Sequence, residues 1–173
     1  DCERLIVDTP AAFAPQDLPD LTRDAAAIIV PVLPSDIDIH AATKCIGDLL
    51  LIAKVKREQR RLAVVANRVK RHTIMYRSLM RFLESLDIPV VTTLRDSQNY
   101  VRASEAGTGL FDMKPRLVRE DTDQWQPLVG WIAHRSAMAS QLPIIQASAV
   151  GSRAHDLIPT FDLDTALPAV AVG

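Results

Sequence analysis

The chain contains little cysteine, few aromatic residues and no long apolar run. Its two cysteines, Cys2 and Cys45, form no CxxC pair, and His40, His72 and His134 stand apart, so neither a disulfide framework nor a zinc site is indicated. No apolar run approaches the roughly 18 residues that cross a bilayer, and the opening DCERLIVDTP lacks the basic-then-apolar order of a secretory signal. We therefore expect a cytoplasmic protein without a membrane partner.

The composition is that of an ordinary globular protein. Hydrophobic residues make up 48% and charged residues 24% of 173 residues, which suits one domain. Helical and strand periodicity fades beyond Ser140, where Pro143, Pro159 and Pro168 follow. We expect one folded domain over residues 1–140 and a loosely docked or partly ordered tail over residues 141–173.

Positive charge is concentrated in the middle of the chain. The whole chain has a net charge of -1, but residues 44–102 hold 13 Lys and Arg against 5 Asp and Glu, a local net charge of +8. Such a segment suits a polyanionic partner, although Lys and Arg also cover ordinary solvated helices. The charge pattern alone leaves both interpretations open.

Short apolar runs alternate with segments of helical periodicity. The runs predict buried strands at 4–8, 26–33, 62–69 and 89–94. Helices are predicted at 39–53 with Asp38 as the N-cap, at 73–86, at 97–106 before Gly107, and at 123–138 with Pro127 in or near the first turn. This alternation predicts an α/β fold with a largely parallel sheet flanked by helices.

Ligands of parallel sheets collect at the carboxyl ends of the strands. The predicted strands end in Asp8-Thr9-Pro10, Pro34-Ser35-Asp36, Asn67-Arg68 and Arg95-Asp96. A carboxylate such as Asp8, at the end of a buried strand, can hold a magnesium ion beside a nucleotide, or it can cap the next turn. The residues themselves leave both roles open.

Four segments in order resemble the ParA/MinD family of deviant-Walker P-loop ATPases. They are LIVDTPA, DAAAIIVPVLPSDIDIHA, VVANRV and LRDSQNYVRASEAGTGLFD, and the resemblance spans about residues 3–132. It implies a P-loop NTPase-like fold that uses ATP and Mg²⁺. It also implies that Asp8 is catalytic and binds the metal, with Thr9 and Pro10 beside the nucleotide, and that Asn67 and Arg68 lie at the adenine base.

The sequence departs from the family pattern at two places. The glycine-rich P-loop, GKGGxGKT in the family, is absent, and we expect the chain to be truncated at its N-terminus and inactive alone, with the complete protein an ATPase. Arg95 and Asp96 stand where many members have Ile-Pro before an acidic residue near the base. Nucleotide selectivity therefore stays open.

The resemblance implies a protein that positions or segregates DNA or another cargo through ATP-dependent dimerisation on the nucleoid. Its expected partners are a second copy, a ParB-like regulator and duplex DNA bound without sequence preference. The candidate DNA-binding residues are Arg57, Arg60, Arg61, Lys70, Arg71, Arg77 and Arg81.

Two alternatives remain from the sequence. One is an ATP-dependent biosynthetic enzyme of the same superfamily, of the cobyrinic-acid-diamide or dethiobiotin synthase type. Such an enzyme would favour substrate-binding Thr, Ser or Tyr clusters after the second strand, where this chain has Ile37-Asp38-Ile39. The other is a nucleotide-free scaffold.

Overall fold

The computed structural model describes residues 5–9 and 14–140, which contain a parallel sheet with helices on both faces. The sheet has the order β1-β2-β3, with β2 in the centre and both pairings parallel. The strands are β1 (Ile28–Val32), β2 (Leu62–Val69) and β3 (Val90–Arg95). The helices are α1 (Leu18–Thr22), α2 (Asp36–Leu51), α3 (Ile74–Glu84), α4 (Gln98–Glu105) and α5 (Pro115–Ser140). The predicted α/β class is confirmed.

Helices α2 and α3 cover one face of the sheet and form the larger apolar core with it. Ile46 and Leu49 of α2 and Leu79 and Leu83 of α3 are buried in one cluster with β-strand side chains such as Val64. The spacing of three and four residues places each pair on one side of its helix. Burial of these side chains therefore fixes both helices on the same face.

Helix α5 lies on the opposite face, mainly against β3. A smaller cluster of Val65, Leu94 and Leu128 is buried there, with Trp125 and Trp131 packed around it. Successive residues of a strand point to opposite faces, so the neighbours Val64 and Val65 of β2 serve the two different clusters. The first five residues of the central strand, Leu62 to Ala66, are thus buried on both faces, as their apolar sequence predicts.

Side-chain caps set the starts of three helices. Ser35 caps α2 by accepting a hydrogen bond from the Asp38 backbone N–H at 3.1 Å, so the predicted cap Asp38 is wrong. Asp38 lies in the first turn, where the positive end of the helix dipole stabilises a carboxylate. Thr73 and Ser97, at which two helices were predicted to start, are the N-caps of α3 and α4. Helix α4 ends before Gly107, whose φ of 62° favours glycine.

Helix α5 differs from its prediction. It begins at Pro115, eight residues before the predicted start, because proline is compatible with the first helical position, where no N–H bond is required. Pro127 is consequently the thirteenth residue of the helix and lies in its interior, not in its first turn. It lacks the N–H that an interior helical residue donates to the preceding turn.

The predicted strand at 4–8 is wrong for the residues that the structure describes there. Residues 5–9 are assigned no strand, and Leu5 and Ile6 are 83% and 92% exposed. A strand is stabilised by a neighbouring strand and a covered face, and residues 5–9 have neither within the described sheet. On β1, Ile29 and Pro31 are likewise exposed on one face, while Val30 and Val32 are buried on the other.

Candidate functional site

The carboxyl end of β2 contains a break in its pairing with β3. Ala66 pairs with Thr93 and Val69 with Arg95, so β2 holds one residue more than its partner strand between these pairs. Arg68 lies in this bulge with a φ of 49°, an uncommon value for a residue with a side chain. The Asn67 Oδ1 accepts a hydrogen bond from the Arg68 backbone N–H at 3.0 Å. The bulge thus turns Asn67 and Arg68 away from the regular ladder.

Charged side chains from the ends of β2 and β3 meet at this edge. Arg68 Nε lies 3.6 Å from one oxygen of Asp96, and Lys70 Nζ lies 3.3 Å from the other. The Asp96 backbone N–H donates to the Val69 carbonyl at 3.1 Å, which ties the two strand ends together. The structure therefore brings together Asn67, Arg68 and Asp96, three residues that sequence reasoning placed at a nucleotide base.

Arg95, the fourth residue predicted at the base, points to α5 instead. Its guanidinium group contacts the carboxylates of Glu120 and Asp121, and its backbone N–H donates to Gln124 Oε1 at 2.8 Å. The Arg95 side chain is 31% exposed and pairs with both carboxylates. Contact with a base would require the guanidinium group to leave these partners.

Asp121 is fully buried and accepts hydrogen bonds from three side chains. Besides Arg95, its Oδ2 accepts from Asn99 Nδ2 at 2.6 Å and from Ser97 Oγ at 3.2 Å. Burial raises the pKa of this carboxyl, but the bonds from Arg95, Asn99 and Ser97 outweigh it and hold the pKa below its ordinary value. Asp121 therefore joins α5 to β3 and to the start of α4 as a carboxylate.

Sequence reasoning missed Asp121, because the predicted helix began two residues after it. Pro115 is a sequence signal for an earlier start of this helix, since proline is favoured at the first position of a helix. The spacing of Leu117, Val118 and Asp121 by three and four residues then continues the helical pattern backwards. The pattern could not show that a carboxylate at this position is buried.

The predicted metal side of the site is not assembled in the described residues. Asp8 and Thr9 are exposed and follow no strand, and Pro10 lies outside the described residues. Within residues 5–9 and 14–140, no three His, Cys, Asp or Glu side chains are grouped as a metal site. The described carboxylates do not form a magnesium ligand set, and the base-side roles of Asn67, Arg68 and Asp96 stay predictions.

The predicted DNA-binding residues do not share one helical face. Arg57 lies in a 3₁₀ turn (Arg57–Gln59) before β2, and Arg60 follows with a φ of 49°. Lys70 and Arg71 follow the other end of β2, whose eight residues at roughly 3.3 Å each span about 26 Å. Of the seven predicted residues, only Arg77 and Arg81 lie on an α-helix, α3.

Arg61 has a structural role that its sequence position did not indicate. Its Nη1 donates to the carbonyl of Thr22 at 2.6 Å and of Ala25 at 3.1 Å, which anchors the segment between α1 and β1. Partial burial, with a smaller contribution from the charge of Arg135, lowers the pKa of Arg61, although an arginine stays protonated. Its bonds to backbone make Arg61 a poor candidate for phosphate contact.

The fold and the polar carboxyl edge define a parallel α/β protein whose architecture is consistent with a P-loop NTPase-like domain. The chain is 28% identical over 113 residues to the maintenance of carboxysome distribution protein A of Halothiobacillus neapolitanus. The aligned region covers 65% of this chain and 52% of that protein, so the chain spans about half the length of this relative. No family model and no solved structure matches the chain. Within the described residues, no helix has the length and apolar character needed to cross a bilayer.

Proposed function

We propose that this chain is part of a ParA-like ATPase that positions a cargo. The observation that carries the proposal is the similarity to a protein named for maintaining carboxysome distribution, because positioning is also the function that the ParA/MinD resemblance implies. The parallel sheet supports it, since nucleotides bind at the carboxyl edge of such sheets. In this proposal residues 1–140 belong to the ATPase domain and residues 141–173 form a tail.

The proposed nucleotide contact is on the base side. The Asn67 amide can donate from Nδ2 and can accept a second bond at Oδ1, and a purine edge offers both kinds of partner. Arg68 and Asp96 border the same edge and are paired with each other. The magnesium role of Asp8 and the nucleotide contacts of Thr9 and Pro10 stay predictions from the resemblance.

The complete protein is proposed to dimerise with ATP, to bind duplex DNA without sequence preference and to respond to a ParB-like regulator. Arg77 and Arg81 on exposed turns of α3 and Arg57 before β2 are better placed for phosphate contact than Arg61, whose donors face backbone carbonyls. The cargo that the protein positions on the nucleoid is proposed to be DNA or another cellular cargo.

The test is ATP affinity and turnover of the complete protein with Asn67→Ala. Loss of a base hydrogen bond costs roughly 1–3 kcal/mol, so we expect ATP to bind roughly 5-fold to 150-fold more weakly and the preference for ATP over GTP to shrink. Gln98→Ala is the matched control, because Gln98 is an exposed amide residue at the start of α4 on the same edge. Equal ATP affinity of parent and Asn67→Ala would place the base elsewhere. A complete protein that neither binds nor hydrolyses ATP would refute the ATPase proposal itself.

A further inference from the structure

A cleft of about 640 Å³ lies between the end of β3, the loop after β2 and the first turns of α5. We call it the arginine cleft, because four arginines line it. Its charged lining consists of Arg71, Arg95, Arg116, Arg119, Glu120 and Asp123. These side chains come from segments that are distant in sequence, so only the folded chain forms the cleft.

Positive charge in the arginine cleft exceeds what its own carboxylates neutralise. Arg95 is engaged by Glu120 and by Asp121. Arg119 lies 3.9 Å from Asp123, and both of these side chains are largely exposed, so their attraction is weak. Four guanidinium groups against the two carboxylates of the lining and the carboxylate of Asp121 behind Arg95 leave a formal net charge of +1.

Two of the four arginines have no partner within the described residues. Neither Arg71 nor Arg116 has an ion pair or a side-chain hydrogen bond there, and both residues are exposed. A guanidinium group is a planar fork of donors that matches phosphate oxygens in pairs. Two such forks facing one cleft provide the donors that a compact polyvalent anion needs.

We propose that the arginine cleft binds a small molecule that carries a phosphate or diphosphate group. Its volume lies within the roughly 300–1,000 Å³ of small-molecule sites. Glu120 and Asp123 on its wall would repel an extended polyanion such as duplex DNA lying across it, whereas a compact anion can contact Arg71 and Arg116 directly. Leu117 is its only large apolar lining residue, which gives an acidic peptide little to bury.

The experiment measures binding of inorganic pyrophosphate to the complete protein by calorimetry. The protein is first saturated with a non-hydrolysable ATP analogue, so that a nucleotide site does not take up the probe. The variant is Arg71→Gln combined with Arg116→Gln, and the matched control is Arg102→Gln, an exposed arginine of α4 that does not line the cleft. Because the replaced side chains are exposed and unpaired, thermal unfolding is expected to stay at the parental temperature.

We expect one pyrophosphate per chain with a Kd below about 1 mM, and at least tenfold weaker binding in the double variant only. Equal binding by parent, double variant and control would overturn the proposal, and so would no binding by the parent. Citrate bound as tightly as pyrophosphate would overturn the assignment to phosphate. Duplex DNA binding that falls with the same double variant, without pyrophosphate binding, would make the cleft a nucleic-acid contact instead. Calorimetry detects pyrophosphate binding even if the protein binds no ATP. Failure of the ATPase proposal can therefore be distinguished from failure of this one.

Discussion

The two faces of the sheet are held by different interactions. On the face of α2 and α3, a large apolar cluster is buried, and its member Leu79 is fully inaccessible. On the face of α5, three side chains form the buried cluster among the described residues, and polar groups complete the contact. The Thr92 hydroxyl donates to the Gln124 carbonyl at 2.5 Å, and Asp121 binds Arg95 and Asn99.

The two faces of the sheet respond to different solution conditions. Apolar burial depends little on pH, whereas a network centred on a carboxylate with a lowered pKa weakens in acid. The same polar face borders the arginine cleft and the carboxyl edge, where Arg95 contributes to both the network and the cleft lining. The stability of the face that carries the candidate sites is therefore the more sensitive to pH.

The largest expected effect comes from truncating a buried leucine on the apolar face. Leu79→Ala should lower the free energy of unfolding by about 4 kcal/mol, because a fully buried leucine in a large cluster leaves a cavity. Leu128→Ala on the other face is the same change at 4% exposure, and we expect about 2–3 kcal/mol there, since fewer buried neighbours surround it. Urea denaturation of both variants measures the comparison. Equal losses would mean that the faces do not differ in packing.

The next effect is on the polar network. Asp121→Asn keeps the shape but removes the charge opposite Arg95, and it should cost about 3 kcal/mol at pH 7. Glu120→Gln is the control, because this pair with Arg95 is exposed, and it should cost less than about 1 kcal/mol.

The network also gives a pH signature. A carboxyl whose pKa is lower in the folded state stabilises the protein above its ordinary pKa of about 3.9, and this stabilisation is lost as the pH falls through the lowered value. Urea denaturation across pH 7 to pH 3 should therefore bring parent and Asp121→Asn closer together as the pH drops below about 4. A difference that stays constant down to pH 3 would contradict the role assigned to the carboxylate.

The smallest expected effect is a gain in stability. Pro127→Ala restores an N–H in the interior of α5, which is worth roughly 3 kcal/mol, less roughly 1 kcal/mol because the unfolded chain becomes freer. A net gain of about 2 kcal/mol should appear in thermal and urea unfolding. The exposed neighbour change Gln126→Ala should leave stability within about 0.5 kcal/mol. A loss on Pro127→Ala would show that the α5 face requires the proline.

Much of the sheet could be predicted because its strands carry local signals. The strand predicted at 62–69 has the same bounds as β2, and Thr73 marked the start of α3. The apolar run at 4–8 carried the same signal, but its described residues 5–8 form no strand. A short sequence shows that its residues suit a strand, but not whether a neighbouring strand is present to accept its hydrogen bonds.

The candidate site was predictable only in part. Polar residues at the ends of β2 and β3 were predicted to lie at one edge of the sheet, and Arg68 and Asp96 form an ion pair there. Their place at a nucleotide base stays a prediction. The pairing of Arg95 with Asp121, 26 residues later, depends on where α5 crosses β3, which no local pattern records. The bulge at Arg68 was hidden for the same reason, since register belongs to a pair of strands.

The order of the strands has a consequence for where a ligand crevice can form. In the sheet β1-β2-β3, each new strand is added on the same side of the strand before it. The crossover helices α2 and α3 both lie on one face of the sheet. Crevices of doubly wound sheets open where this direction reverses and the connections change faces. Within the described residues the winding never reverses. A further strand beside β1, with its connection crossing the α5 face, would create such a reversal next to the exposed Ile29 and Pro31.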